Sequence, residues 1–139
     1  MNMPIQLHSG TQVDDAILGE QDKLVIVRFG HGSNSSCIRT DELLCSISEA
    51  VAGIATIYLV DTLEVPDFNK MYELKESCAL MFFYRNKEIS IDVGGTGLYR
   101  MIDWSCVERQ DMAELVESVH RVARKGRSSV ATSVVFKLL

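Results

Sequence analysis

Apolar residues fall in this chain either in short unbroken runs or at three- and four-residue spacing. Leu24 to Gly30, Ile57 to Val60 and Ala79 to Tyr84 are runs too short for buried helices and too uniformly apolar for strands with a wet face. Each predicts a strand covered on both sides. Glu88 to Val93 differs, because Ile89, Ile91 and Val93 alternate with polar residues. That alternation predicts an edge strand with one solvated face, reached from the preceding strand through a turn at Arg85-Asn86-Lys87. From Cys37 onward, Leu44, Ile47, Val51 and Ile54 recur on one helical face, and Cys45 is expected in the core beside them. Met112, Leu115, Val119 and Val122 form a second stripe, with Glu108, Asp111, Glu114 and Glu117 placing acid toward its start. Pro66 suits the first turn of a short helix whose apolar side is Phe68, Met71, Tyr72 and Leu74.

The order is therefore strand, helix, strand, short helix, then strand, strand, helix. A parallel strand pair needs a crossover of the first kind, and such crossovers are right-handed. The pattern is α/β and resembles the thioredoxin arrangement, a central mixed β-sheet flanked by helices on both faces. At 139 residues and 47% hydrophobic content the chain suffices for one domain without a disulfide or metal. That domain is expected over residues 1–127, with 128–139 as a C-terminal tail. The first ten residues have neither a charged leader nor an apolar stretch, and no run approaches about 18 apolar residues, so an intracellular soluble protein is expected, with no membrane association.

The net charge of −5 hides an asymmetry. Residues 1–120 carry 9 Lys and Arg against 19 Asp and Glu, hence −10, whereas residues 121–139 carry 5 basic residues and no acid. An acidic body repels phosphate backbones and excludes a general nucleic-acid binder, while Arg124, Lys125 and Arg127 can meet RNA or an acidic protein face. Cations there also complement a helix dipole, which accounts for Arg121 and Arg124 better than for Lys125 and Arg127.

Candidate chemistry is sparse. Cys37, Cys45, Cys78 and Cys106 lack C-x-x-C spacing and paired histidines, so no metal site is expected. His8, His31 and His120 belong to no triad or metal set and read as surface or capping residues. Gly94-Gly95-Thr96-Gly97 lacks the G-K-[ST] of a phosphate loop and reads as a hairpin exit needing positive φ. Phe82, Phe83 and Tyr84 read as strand core ahead of a stacking platform for bases. In a thioredoxin the strand ending at Phe29-Gly30 would lead to a nucleophilic cysteine at a helix start. Here Asn34 holds that position and only the second cysteine, Cys37, remains. Ala79 stands where that fold has a cis-proline, and is expected to be trans. The fold still brings Cys37 and Cys78 together, as two reduced thiols or as a candidate disulfide. No catalytic residue, cofactor or small-molecule substrate is expected; the alternative is a thiol-disulfide oxidoreductase using Cys37.

Specific blocks of sequence carry a family resemblance. Arg28-Phe29-Gly30-His31, Ile57-Tyr58-Leu59-Val60-Asp61, the run EVPDFNKMYEL from Glu64 to Leu74, Met81-Phe82-Phe83, Arg85-Asn86-Lys87 and Ala123-Arg124-Lys125-Gly126-Arg127 together resemble the Dim family. These are thioredoxin-like small proteins of the spliceosomal U5 particle and tri-snRNP. The resemblance spans about residues 5–127, and the EVPDFNKMYEL block is more specific than a fold demands. It implies a non-enzymatic, nuclear protein-interaction component of the pre-mRNA splicing machinery, with U5 and tri-snRNP proteins as partners, the large U5 scaffold protein among them. Asp67, Asn69, Lys70 and Glu73 are then the partner-facing groups of that block, and Arg124, Lys125 and Arg127 the candidate RNA-proximal ones. The chain departs from the family at Ser33-Asn34-Ser35-Ser36, where a tryptophan, an aspartate and a proline are usual, and in its apolar end from Val134 to Leu139. That end is expected to pack on the domain or on a partner.

Overall fold

The computed structural model describes residues 3–94, 99–132, 134 and 136–139. Along the chain lie β1 (Ile5–Leu7), α1 (Gly10–Gly19), β2 (Leu24–Gly30), α2 (Ser35–Ser48), β3 (Ala55–Asp61), β4 (Cys78–Tyr84), β5 (Lys87–Asp92), α3 (Arg109–Arg124) and β6 (Ser129–Ala131). Single 3₁₀ turns occupy Pro66–Phe68, Tyr99–Met101 and Trp104–Cys106. The sheet order is β1-β3-β2-β4-β5-β6. β1 and β2 run parallel to β3, β4 runs antiparallel to β2 and β5, and β6 is parallel to β5.

The three unbroken apolar runs become β2, β3 and β4, and their side chains alternate between two cores. Leu24 and Ile26 of β2 face Leu44 and Ile47 of α2 and Met112, Leu115 and Val119 of α3. Val25, Val27 and Phe29 face Val13 and Ile17 of α1 together with Val65 and Phe68. Phe82, Phe83 and Tyr84 are all buried, so none of them offers a face to a base. Arg85 and Asn86 join β4 to β5 with φ of 50° and 65°, the left-handed pair that a two-residue hairpin requires.

Four expectations are corrected. β5 is not an edge, because Ile91 pairs with Val130 of β6; a three-residue Ser-Val-Ala strand is too short to show a period. The segment set apart as a tail thus contributes a strand to the sheet. Beyond it Phe136 packs on Trp104 at 5.9 Å between ring centroids, and Ile102 bridges Leu138. The helix after Pro66 stops at one 3₁₀ turn, Pro66–Phe68, the chain goes on in turns to Glu73 at φ of 53°, and Met71 points outward at 68% exposure instead of joining Phe68 inside. Cys45 is exposed. Eight residues of helix turn it roughly 80° away from the buried Cys37. Of the glycine run, Gly94 takes φ of 81° after β5, and 95–98 lie outside the described residues.

Candidate functional site

β2 and β3 both end at the same rim of the sheet, and β4 begins there, with Gly30 opposite Asp61 on one side and Cys78 on the other. α2 starts from the same rim. Asn34 caps it, its side-chain oxygen accepting from the Cys37 amide at 3.1 Å. The residue standing at the nucleophile's position thus serves the helix start.

Cys37 and Cys78 meet beneath this cap, free and buried. A Cβ on Gly30 would lie 2.6 Å from Cys37 Sγ and 3.3 Å from Cys78 Cα, so the missing side chain of Gly30 is what lets the two cysteines approach. The thiol of Cys78, hydrogen-bonded to Cys37, lowers the Cys37 pKa against the opposing effect of burial, and the Arg28 guanidinium lowers it further. The same bond and burial push Cys78 up, so Cys37 is the more acidic thiol of the pair. The peptide bond before Ala79 is trans.

Arg28 is the unforeseen member of the cluster. It is 3% exposed in the central strand. Its Nε and Nη2 donate to the two carboxylate oxygens of Asp41 at 2.8 and 2.9 Å, and Nη1 donates to the Val60 carbonyl at 3.1 Å. Burial disfavours its charge, but the Asp41 bonds and the nearby cysteines outweigh that and raise its pKa. A lone arginine inside LVIVRFG was the available signal, since a buried cation requires a buried partner.

Above the rim runs the segment from Asp61 to Leu74. Asp61 accepts the Leu63 amide at 2.8 Å, the main cause of its lowered pKa, and His31 Nδ1 lies 3.3 Å from it. Asn69 Nδ2 donates to the Thr62 carbonyl at 3.1 Å, tying the far half of the segment back to the near half. Phe68 and Tyr72 stack at 5.8 Å and both contact Phe29, which anchors the segment on the second core. Outward stand Leu63, Met71, Lys70 and Glu73, with Leu63 at 79% exposure. Asp67 is exposed too, but its carboxylate sits against Gly10 at the first turn of α1, where a Cβ would lie 2.4 Å from Oδ2. Asn69 is half-buried. Of the four polar residues expected to face a partner, Lys70 and Glu73 are free to do so on both sides, Asp67 on one, and Asn69 is taken up in holding the segment.

Arg124, Lys125 and Arg127 are exposed but lie elsewhere. The hairpin beside them follows Tyr84, whose neighbour Phe83 pairs with Val25 near the start of β2. They therefore occupy the rim opposite Cys37, and the two sets of candidate residues form separate surfaces. Of the other histidines, His8 pairs with Glu64 at 3.0 Å, and His120 meets the Tyr84 ring edge-on.

Comparison with known proteins accords with this geometry. Chloroplastic thioredoxin z shares the fold with a TM-score of 0.64 over 87% of this chain and 97% of its own, at 18% identity. The "Mitosis protein dim1" of Schizosaccharomyces pombe is 52% identical over 124 residues, 89% of this chain and 87% of that protein. The "Spliceosomal protein DIB1" of Eremothecium gossypii is 45% identical over 126 residues, 91% of this chain and 87% of that one. The family described as "Mitosis protein DIM1" matches residues 3–136, so an N-capping Asn34 in place of a nucleophile, a buried Arg28–Asp41 pair and an outward Glu64–Leu74 segment stand in a chain that belongs to the DIM1 family.

Proposed function

We propose that this protein is a nuclear component of the pre-mRNA splicing machinery, joining the U5 particle and tri-snRNP by docking and without catalysis. The observation that carries this is the Asp61–Leu74 segment. It is held rigidly by Phe68, Tyr72 and Asn69, yet it presents Leu63 and Met71, two large apolar side chains the fold does not use, beside Lys70 and Glu73. Apolar anchors ringed by charge are what a protein partner recognises, and the large U5 scaffold protein is the partner this reading names. The relatives called spliceosomal proteins support the same setting.

Charge reversal tests it. Asp67→Lys with Lys70→Glu alters exposed groups, and the lysine beside the first turn of α1 costs about 0.3–1 kcal/mol of dipole interaction, so the protein folds. The variant is expected to fail to join the U5 particle in depleted extract. Full splicing rescue would make the segment scaffold only.

The opposite rim supplies a second contact, to RNA or an acidic protein face. Arg124, Lys125 and Arg127 replaced together by Ser should leave melting unchanged and weaken retention in the particle. The deficit should be largest at low ionic strength and shrink as salt screens the wild-type charges, by a Debye length of about 10 Å at 0.1 M. A triple variant retained as well as wild type at every salt concentration would reduce these residues to helix-dipole partners.

The redox alternative has one observation in its favour, the lowered Cys37 thiol beside Cys78 and Arg28. Against it, Cys37 is 0% exposed and the attacking position holds Asn34. An insulin-reduction assay decides: turnover abolished by Cys37→Ser would establish it.

A further inference from the structure

We propose that the rim opposite Cys37 carries a binding cleft for a single-stranded phosphodiester backbone, built jointly by the β4–β5 hairpin and the end of α3. This rests on the reading of Arg124, Lys125 and Arg127 as particle-facing groups and commits them, with two hairpin cations the sequence did not connect to them, to RNA phosphates. Two adjacent cavities share Arg124. One, of about 510 Å³, is lined by Ile54, Glu117, His120, Arg121, Arg124 and Lys125. The other, of about 210 Å³, lies between Tyr84, Arg85, Lys87 and Ile89 on one bank and Ala123, Arg124, Gly126 and Arg127 on the other. Six cations thus converge from elements nearly 40 residues apart, on a body otherwise strongly acidic.

The backbone around α3's end explains why these cations are available. Gly126, at φ of 84°, closes the helix so that the Gly126 amide donates to the Ala123 carbonyl at 2.9 Å and the Arg127 amide to Val122 at 3.1 Å. The last carbonyls are satisfied by main chain, and the side chains are not needed as caps. Among the described residues, Lys87, Arg121, Arg124, Lys125 and Arg127 take part in no ion pair. The neighbouring Glu88 is turned away, accepting from the Tyr99 hydroxyl at 2.5 Å. Glu117 is the acid that lines the larger cavity. Arg85 is held in place on the hairpin, its Nε donating to the Gln21 carbonyl at 2.9 Å and its guanidinium 5.2 Å from the Tyr84 ring centroid.

The chemistry favours phosphate over an acidic peptide. Four of the six cations are arginines, whose planar forks match carboxylates and phosphates alike, so the discrimination comes from the rest of the lining. None of the large exposed apolar side chains lines either cavity, so a protein partner would find no anchor there. Tyr84, buried and covered by Arg85, offers no stacking face, so recognition is of the backbone and is indifferent to base sequence.

The test uses the intact protein and a fluorescent oligouridylate of about 10 nucleotides, followed by anisotropy. If about four phosphates are engaged, affinity falls about fifty-fold between about 50 and 200 mM salt, at a slope of about 0.7 per phosphate. Arg85→Ser with Lys87→Ser should make that slope shallower by about 1.4, as should Arg124→Ser with Lys125→Ser. Lys87→Ser with Arg127→Ser spans both banks without touching the turn and should do the same, so a folding defect at Arg85 would not obscure the result. The inference is overturned if oligouridylate does not bind at low salt, if the hairpin variants bind like wild type, or if polyglutamate displaces the RNA at equal charge concentration. A hairpin variant that joins the U5 particle normally while oligouridylate fails to bind wild type overturns the cleft alone and leaves the docking reading standing.

Discussion

Asp41→Ala should lower the unfolding free energy by about 3 kcal/mol, the largest loss expected from a single surface-adjacent change in this protein. The reason is the residue it abandons. Arg28 is 3% exposed and makes two of its three hydrogen bonds to Asp41, so the truncation leaves a guanidinium in the sheet face with one carbonyl for company. Breaking a buried pair in this way costs about 3–5 kcal/mol, and the lower figure applies because Asp41 is 25% exposed and water can follow it in. Removing both charges is a different experiment. Arg28→Met with Asp41→Leu deletes the ions together, the larger leucine standing at a position that is 25% exposed, and should recover most of the loss, since a buried pair is worth little net once its desolvation is counted. Denaturant midpoints at unchanged m-value provide the measurement. An Asp41→Ala protein within about 1 kcal/mol of wild type would mean that Arg28 is solvated without its partner.

How much of this was legible beforehand depended on the length of each signal. β2, β3 and β4 are seven-residue elements whose apolar runs dominate their windows, and α3 carries Met112, Leu115 and Val119 at full helical spacing. Those elements fix the layered architecture. β1 and β6 have three residues each, and a period of two cannot declare itself in three positions. α1 escaped because only Val13 and Ile17 of its ten residues are buried, and because its cap, Ser9 accepting from Gln12, looks like any polar turn. The segment after Pro66 shows the opposite failure. Its apolar residues stand at helical spacing, but the chain leaves the helix at once, and Met71 rotates out while Phe68 stays in.

The site was legible as a juxtaposition and not as an electrostatic arrangement. That Cys37 and Cys78 meet follows from the order of strands; that Arg28 and Asp41 lie beside them does not, because their separation in sequence is that between a strand and the helix packed on it. The basic rim was half visible for the same reason. Arg124, Lys125 and Arg127 fall within four residues of sequence, whereas Arg85 and Lys87 reach them only through the pairing of β4 with β2 and the packing of α3 across the sheet.

Oxidation should raise the stability of this protein by about 3–4 kcal/mol through a bond between Cys37 and Cys78. Both thiols are buried at the rim, in mutual hydrogen bonding, with the space a Gly30 side chain would fill left open between them. An added oxidant such as diamide takes two electrons and two protons from the pair, and the Cys37 thiolate is the group that attacks it. The bond closes a loop of about 40 residues, which restricts the unfolded chain far more than the native one, where the ends already touch. Cys45 and Cys106 are exposed and must be alkylated first, so that the shift is not confused with cross-linking between molecules. The treated protein should then melt higher than its reduced form, peptide mapping should find residues 37 and 78 joined, and reductant should return the lower transition. Cys37→Ser should abolish all three effects. An oxidised sample that melts no higher, with both thiols still open to alkylation after unfolding, would mean that burial shields the pair from the oxidant or that the start of α2 resists the shift that bonding requires. In a reducing compartment the same residues remain two thiols, of which Cys37, with its pKa lowered by the Cys78 hydrogen bond and the Arg28 charge, is the more acidic.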